Sequence, residues 1–197
     1  MKGPLTEIGT SLRAVVLVAV TLCGIYPAAV WVLDRAFFPA RSEGSLVRLD
    51  DRVVGSRLLS QAFREPRYFH PRPSAAGAGH DASRSGATNL GPTSKRLFED
   101  VSRRAADYRN ENGLPARTAV PADAVTASAS GLDPHISPEN ARLQAGRVAR
   151  ARGLPEEDVL SLVRERTEGR TLGFLGRPRV NVLILNLALD GVVHEGR

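Results

Sequence analysis

The stretch AVVLVAVTLCGIYPAAVWVL, from Ala14 to Leu33, runs for twenty residues without a charge. As an α-helix rising about 1.5 Å per residue it is about 30 Å long, the thickness of a bilayer's hydrocarbon core. Arg13 closes the run on one side and Asp34 with Arg35 on the other, and Tyr26 and Trp31 lie in the half where interfacial aromatics gather. Gly24 and Pro27 would weaken a soluble helix but are tolerated within a membrane. These features predict a single transmembrane helix at about 14–33, inside an N-terminal segment 1–35. A cleaved signal peptide is the competing reading, but its apolar stretch is normally about 7–15 residues, shorter than this one. A buried core helix is disfavoured because the run lacks a polar face.

Beyond the span, residues 36–197 are sufficient for one domain. The whole chain has 197 residues, 27 Lys+Arg against 21 Asp+Glu, a net charge of +6 and only 5% aromatics. Its average looks soluble only because an apolar segment is joined to a polar one. The single cysteine, Cys23, excludes an internal disulfide framework and any multi-cysteine metal site. The basic surplus invites nucleic acid, but scarce aromatics for base stacking and a membrane anchor weigh against it. Orientation is poorly encoded, since Lys2 and Arg13 precede the span and Arg35, Arg41 and Arg48 follow it closely.

The domain reads as α+β and rich in loops. Leu46–Phe63 fits a strand or two, or a strand and a short helix. Glu65–Pro92 is too dense in Pro, Gly, Ser and Ala for a long regular element. Thr93 or Ser94 then caps a helix that places Leu97, Phe98, Val101, Ala105 and Tyr108 inward, Arg103, Arg104 and Asp107 outward, and stops at Asn112-Gly113. A second loop covers Val120–Pro138. Ser137-Pro138-Glu139 opens a helix to about Arg152, with Gly153 as its stop. A third helix starts at Pro155, buries Val159, Leu162 and Val163, and ends at Gly169. For VNVLILNLALD the spacing fits a strand or a helix; its length and its leucines favour a helix from Pro178.

Several motifs suggest a chemistry, and each has a plainer reading. Gly86 and Gly91 have the spacing of a P-loop's glycines, but Pro92-Thr93-Ser94-Lys95 follows instead of Lys-Ser/Thr, so a turn into the next helix explains them better. Asp133, His135 and Glu139 are proper metal ligands, yet Asp133-Pro134 suits a turn and Glu139 a helix start. Ser128 or Ser130 with His135 and Asp133 lacks the G-x-S-x-G elbow of a hydrolase. Arg142, Arg147, Arg150 and Arg152 read as a solvated face, with Gln144 as an exposed glutamine among them.

Taken in order, RYFHPRPSA (Arg67–Ala75), HDASRSGATNLGPTS (His80–Ser94), VPADAVTASASGLDPHISP (Val120–Pro138), RVARARGL (Arg147–Leu154) and TEGRTLGFLGRPRVNVLILNLAL (Thr167–Leu189) resemble the KdpC family, the C subunit of the bacterial Kdp potassium-transporting ATPase. The resemblance covers nearly the whole chain. It departs at His80, where the family usually has Tyr, at Ala87 and Ala129, where Gly is usual, and at Arg177, usually an acid.

The resemblance implies a non-catalytic, single-pass subunit in the bacterial inner membrane. Its implied partners are a channel-like potassium-translocating subunit, a catalytic P-type ATPase subunit and a small single-span subunit. Potassium is then the transported ion, ATP enters through the complex, and no covalent cofactor or resident metal is expected. The absence of D-K-T-G agrees with a chain that hydrolyses no ATP alone. Two roles follow from the resemblance. A cytoplasmic domain would raise the partner's ATP affinity, with Gln144 and Arg147 as candidate nucleotide contacts. An extracytoplasmic domain, with the N-terminus in the cytoplasm, would lie over the translocation subunit and influence potassium entry. Ser130, Gly131, Asp133, His135 and Ser137 are the family-motif loop candidates.

Overall fold

The computed structural model describes residues 3–191, in two compact units, Met1–Leu46 and Val47–Arg197. Met1, Lys2 and residues 192–197 lie outside the described residues.

The first unit is helical. Within a continuous helix, the stretch Thr6–Phe37 is long and apolar enough to cross a membrane, and no residue of its apolar window is buried in the protein. It is longer than the predicted 14–33, because polar turns extend the apolar stretch at both ends. It comprises α1 (Pro4–Ala19), a π segment (Val20–Ile25) and α2 (Tyr26–Phe37). The wide turn has a local cause. Pro27 has no N–H, and its ring would clash with the carbonyl four residues earlier; the ladder widens there, so that Tyr26 N–H reaches Thr21 O. A single turn, α3 (Pro39–Ser42), follows.

In the second unit, β1 (Leu46–Leu49) and β2 (Arg52–Ser56) form a two-stranded sheet, the two-strand version of the expectation for this stretch. Residues 57–93 hold no regular element. Helix α4 (Lys95–Asn112) is capped by Ser94 and stopped by Gly113. Its inward face differs from the expectation: Phe98 is 75% exposed, while Arg104, placed outward by the sequence, donates to Val125 O at 3.0 Å. Leu97, Val101, Ala105 and Tyr108 turn inward as expected, and Arg104 and Asn112 join them, while Arg103 and Asp107 face outward.

The expected second loop contains a turn of helix, α5 (Ala122–Val125), and β3 (His135–Ile136). Helix α6 (Pro138–Arg152) matches its predicted start and stop, capped by Ser137 and ended by Gly153. Helix α7 (Glu156–Glu165) ends before Gly169, because Thr167–Glu168 leave it to form β4. The final apolar run takes both of the forms its spacing allowed. Arg179–Asn181 is β5, the middle strand of the antiparallel order β3-β5-β4, and Asn181 then caps α8 (Val182–Leu189). Val180 faces Ile136 on one side and Thr167 on the other.

The core gathers Ala141, Ala145, Val148 and Ala149 of α6 with Val159 and Val163 of α7, Val180, Val182, Leu185, Ile136 and Phe69. Alanines on α6 let neighbouring backbones approach closely. With its apolar side so covered, α6 turns Asn140, Gln144 and Arg147 toward the 66–74 segment, and all three are buried.

Candidate functional site

The segment Pro66–Ser74 opens with a turn, in which Tyr68 N–H donates to Glu65 O at 3.0 Å, and then runs on without pairing to a strand, yet parts of it lie deep: Phe69 is fully buried. Its backbone polar groups still need partners. Side chains supply them. Asn186 brackets Phe69, its Oδ1 accepting from Phe69 N–H at 2.8 Å and its Nδ2 donating to Phe69 O at 3.0 Å. Gln144 does the same for His70, at 2.7 Å and 3.1 Å. Two carboxamides on α6 and α8 therefore replace the neighbouring strand of a sheet.

Arg147 completes the clasp. Its Nη1 donates to Pro66 O at 2.6 Å and Tyr68 O at 3.0 Å, its Nη2 to Gln144 Oε1 at 2.8 Å, and its Nε to Asn112 Oδ1 at 3.0 Å. Burial pushes its pKa down, against the pull of the nearby Glu111 carboxylate. Gln144 Nε2 also donates to Asn140 Oδ1 at 2.9 Å, and the Tyr108 hydroxyl donates to that same oxygen at 2.8 Å. All four hydrogen-bonding positions of the Gln144 amide are thus filled by protein. Burial pushes the Tyr108 hydroxyl pKa well up, aided by the charge of Asp123.

Tyr108, Asn112, Asn140 and Gln144 line a cleft of about 340 Å³. Arg64, Arg72, Arg104, Asp107, Glu111, His70 and His80 also line it. His70 Nδ1 lies 2.7 Å from Glu111 Oε1, and this hydrogen bond, opposed by burial, holds the Glu111 carboxyl below its ordinary range. His80 is shifted down, first by burial and then by Arg64, and its Nδ1 is 2.9 Å from Ser60 Oγ.

The family-motif loop lines up behind the same segment. Gly131 has φ +69°, and a Cβ there would meet Ala76 N at 2.7 Å and Gly86 O at 2.8 Å, so only glycine fits. Gly131 O accepts from Ser74 Oγ at 2.6 Å, and Ser130 O accepts from Gly86 N–H at 2.9 Å. Gly86 is therefore a packing position against this loop. Asp133 accepts from Arg72 Nη1 at 2.8 Å and from His135 N–H at 3.0 Å. Burial raises its pKa, but the bonds from His135 and Arg72 outweigh it and hold the carboxyl at about 2. Ser137 caps α6 by accepting from Asn140 N–H at 3.1 Å, while its hydroxyl donates to Asp123 Oδ1 at 2.9 Å.

The structure thus gathers Ser130, Gly131, Asp133, His135 and Ser137 into one loop system, and Gln144 with Arg147 into the adjoining clasp. Among the described residues no group of three or more His, Cys, Asp or Glu is gathered as a metal ion would need. The solvated-face reading of α6 is overturned at Arg147 and Gln144, which are 6% and 1% exposed, and at Arg152, whose side chain lies against Arg67 O, Leu189 O and Asp190, whereas Arg142 and Arg150 do face outward. Asp123, Asn140 and Asn186 carry no expectation from the sequence, and Asn112 carries one only as a helix end. Asn186 carried a usable signal: a lone carboxamide inside VLILNLAL needs a partner once buried.

An apolar helix able to span a bilayer, joined to a domain that turns its polar centre onto its own backbone, defines a single-span membrane protein with a loop-built α+β domain. The chain belongs to the family described as KdpC: K+-transporting ATPase, c chain, whose model matches residues 8–191, and so is a membrane subunit of a potassium-transporting ATPase complex. It is 55% identical over 182 residues to the "Potassium-transporting ATPase KdpC subunit" of Myxococcus xanthus, covering 92% of this chain and 86% of that one. It is 52% identical over 189 residues to the protein of that name in Nitratidesulfovibrio vulgaris, covering 95% of each. For the Koribacter versatilis protein of that name the values are 48% over 183 residues, 92% and 93%.

Proposed function

We propose that this chain is a non-catalytic accessory subunit of the potassium-uptake complex, which assists assembly and raises the ATP affinity of the catalytic P-type subunit by coupling through the complex. One observation supports coupling over direct contact. Gln144 and Arg147, the candidate nucleotide contacts, spend their hydrogen bonds on Asn112, Asn140 and the 66–74 backbone. A nucleotide could recruit them only by opening the clasp.

The proposed placement has the N-terminus in the cytoplasm and the domain outside, near the channel-like translocation subunit, where it also influences potassium entry. From there no side chain reaches cytoplasmic ATP, and any change in ATP affinity is a coupling free energy. The span packs against partner helices through Cys23 and Gly24, small residues that let backbones approach, with the small single-span subunit among its neighbours.

Two experiments test this. Protease added outside sealed cells should cut the domain, and cleavage only in inverted vesicles refutes the placement. ATP dependence of potassium-stimulated hydrolysis is then measured for complexes carrying Arg142→Ala, exposed on α6, and Gln144→Ala. Coupling predicts that Gln144→Ala weakens ATP affinity in step with loosening of the isolated chain. Loss of ATP affinity with the chain's stability unchanged would instead indicate a direct contact.

A further inference from the structure

We infer that the loop Arg170–Arg177 is a docking anchor that inserts Leu172, Phe174 and Leu175 into an apolar socket on a larger protein subunit of the same complex. The inference rests on the chain's membership of that complex.

These three side chains are 79%, 68% and 49% exposed, a contiguous apolar tip on a polar domain. The loop is built to present them. Thr171 and Leu175 exchange two backbone hydrogen bonds of 2.9 Å each, and Gly173 N–H closes the turn onto Arg170 O at 3.1 Å. Leu172, which is not glycine, is held at φ +54°. A leucine kept in that region with its side chain in water costs energy in the free domain.

Charge and backbone chemistry select the occupant. Among the described residues Arg170 and Arg177, which flank the tip, have no ion-pair partner, whereas Arg179 is 2.9 Å from Glu168. The complementary surface therefore has acidic groups around an apolar centre. Lipid hydrocarbon fits less well. The turn gives the main-chain N–H groups of Leu172 and Phe174 no acceptor among the described residues, and hydrocarbon offers them none, while a protein socket does. Three side chains are too few for a whole interface; they suit a hot spot supplementing the membrane span.

The test uses the tagged full chain coexpressed with its complex. Leu172→Asp with Phe174→Asp should reduce copurified partner about tenfold or more, and Arg170→Glu with Arg177→Glu should also weaken capture. The isolated full-length variants should melt within about 2 °C of wild type, because these side chains are exposed. A photo-crosslinking benzoylphenylalanine at position 174 should give an adduct with a protein subunit. Adducts with lipid alone, or wild-type capture by the double aspartate variant, would overturn the assignment. If the wild-type chain brings down no partner, the subunit reading fails as well.

Discussion

Replacing Gln144 by Ala removes four hydrogen bonds at once, two to the main chain of His70 and two to the side chains of Asn140 and Arg147. The losses are unequal. Arg147 keeps Pro66, Tyr68 and Asn112, and Asn140 Oδ1 keeps the Tyr108 hydroxyl. The N–H and C=O of His70 lose their partners among the described residues, and each unsatisfied group costs about 1–3 kcal/mol. Adding the lost packing of a side chain only 1% exposed, Gln144→Ala should destabilise the domain by about 3–5 kcal/mol. Gln144→Glu is nearly isosteric, but it sets an anion against His70 O and Asn140 Oδ1, so the gain from Arg147 should not restore wild-type stability. Urea unfolding of the full chain in detergent, followed by far-UV circular dichroism, measures both, with exposed Arg142→Ala as a control expected within about 0.5 kcal/mol. A Gln144→Ala value within about 1 kcal/mol of wild type would refute the clasp as the element holding the 66–74 segment.

Other consequences follow from the motif loop. Gly131→Ala should cost about 3 kcal/mol or more, because its Cβ strikes main-chain atoms, whereas Gly153→Ala, with the same sign of φ but open space, should cost only about 1–2; thermal midpoints compare them. Asp133 titrates at about 2 in the folded protein against an ordinary 3.8. The stability from its lowered pKa is therefore present above about pH 4 and lost as pH falls through about 2; it is on the order of 2 kcal/mol. Asp133→Asn should remove that acid-side slope, measured as the difference in urea stability between about pH 5 and pH 2.5. Ser137→Ala should cost about 1–2 kcal/mol by uncapping α6 and releasing Asp123, and a thermal midpoint indistinguishable from wild type would contradict this.

Local chemistry made much of the fold legible. The charge-free run announced the span, Ser94 and Ser137 announced helix starts, and Gly113 and Gly153 their ends, because caps depend on residues adjacent in the chain. The π segment before Pro27 follows from one missing N–H, though its exact extent did not. The family resemblance, carried by a long ordered set of segments, pointed to the same complex as the family match.

What the chain's order alone left undecided was the direction and partner of each polar side chain. Arg142 and Arg147 are both arginines on one helix, and only packing sends the first to solvent and the second to the carbonyls of Pro66 and Tyr68. The same holds for VNVLILNLALD, where pairing with His135–Ile136 and Thr167–Glu168 drew the first residues into a strand before the helix could begin. Periodicity and caps are local quantities. The hydrogen bonds of Gln144 and Asn186, by contrast, join residues 74 and 117 positions apart, and exist only once the core has brought α6 and α8 against an unpaired backbone.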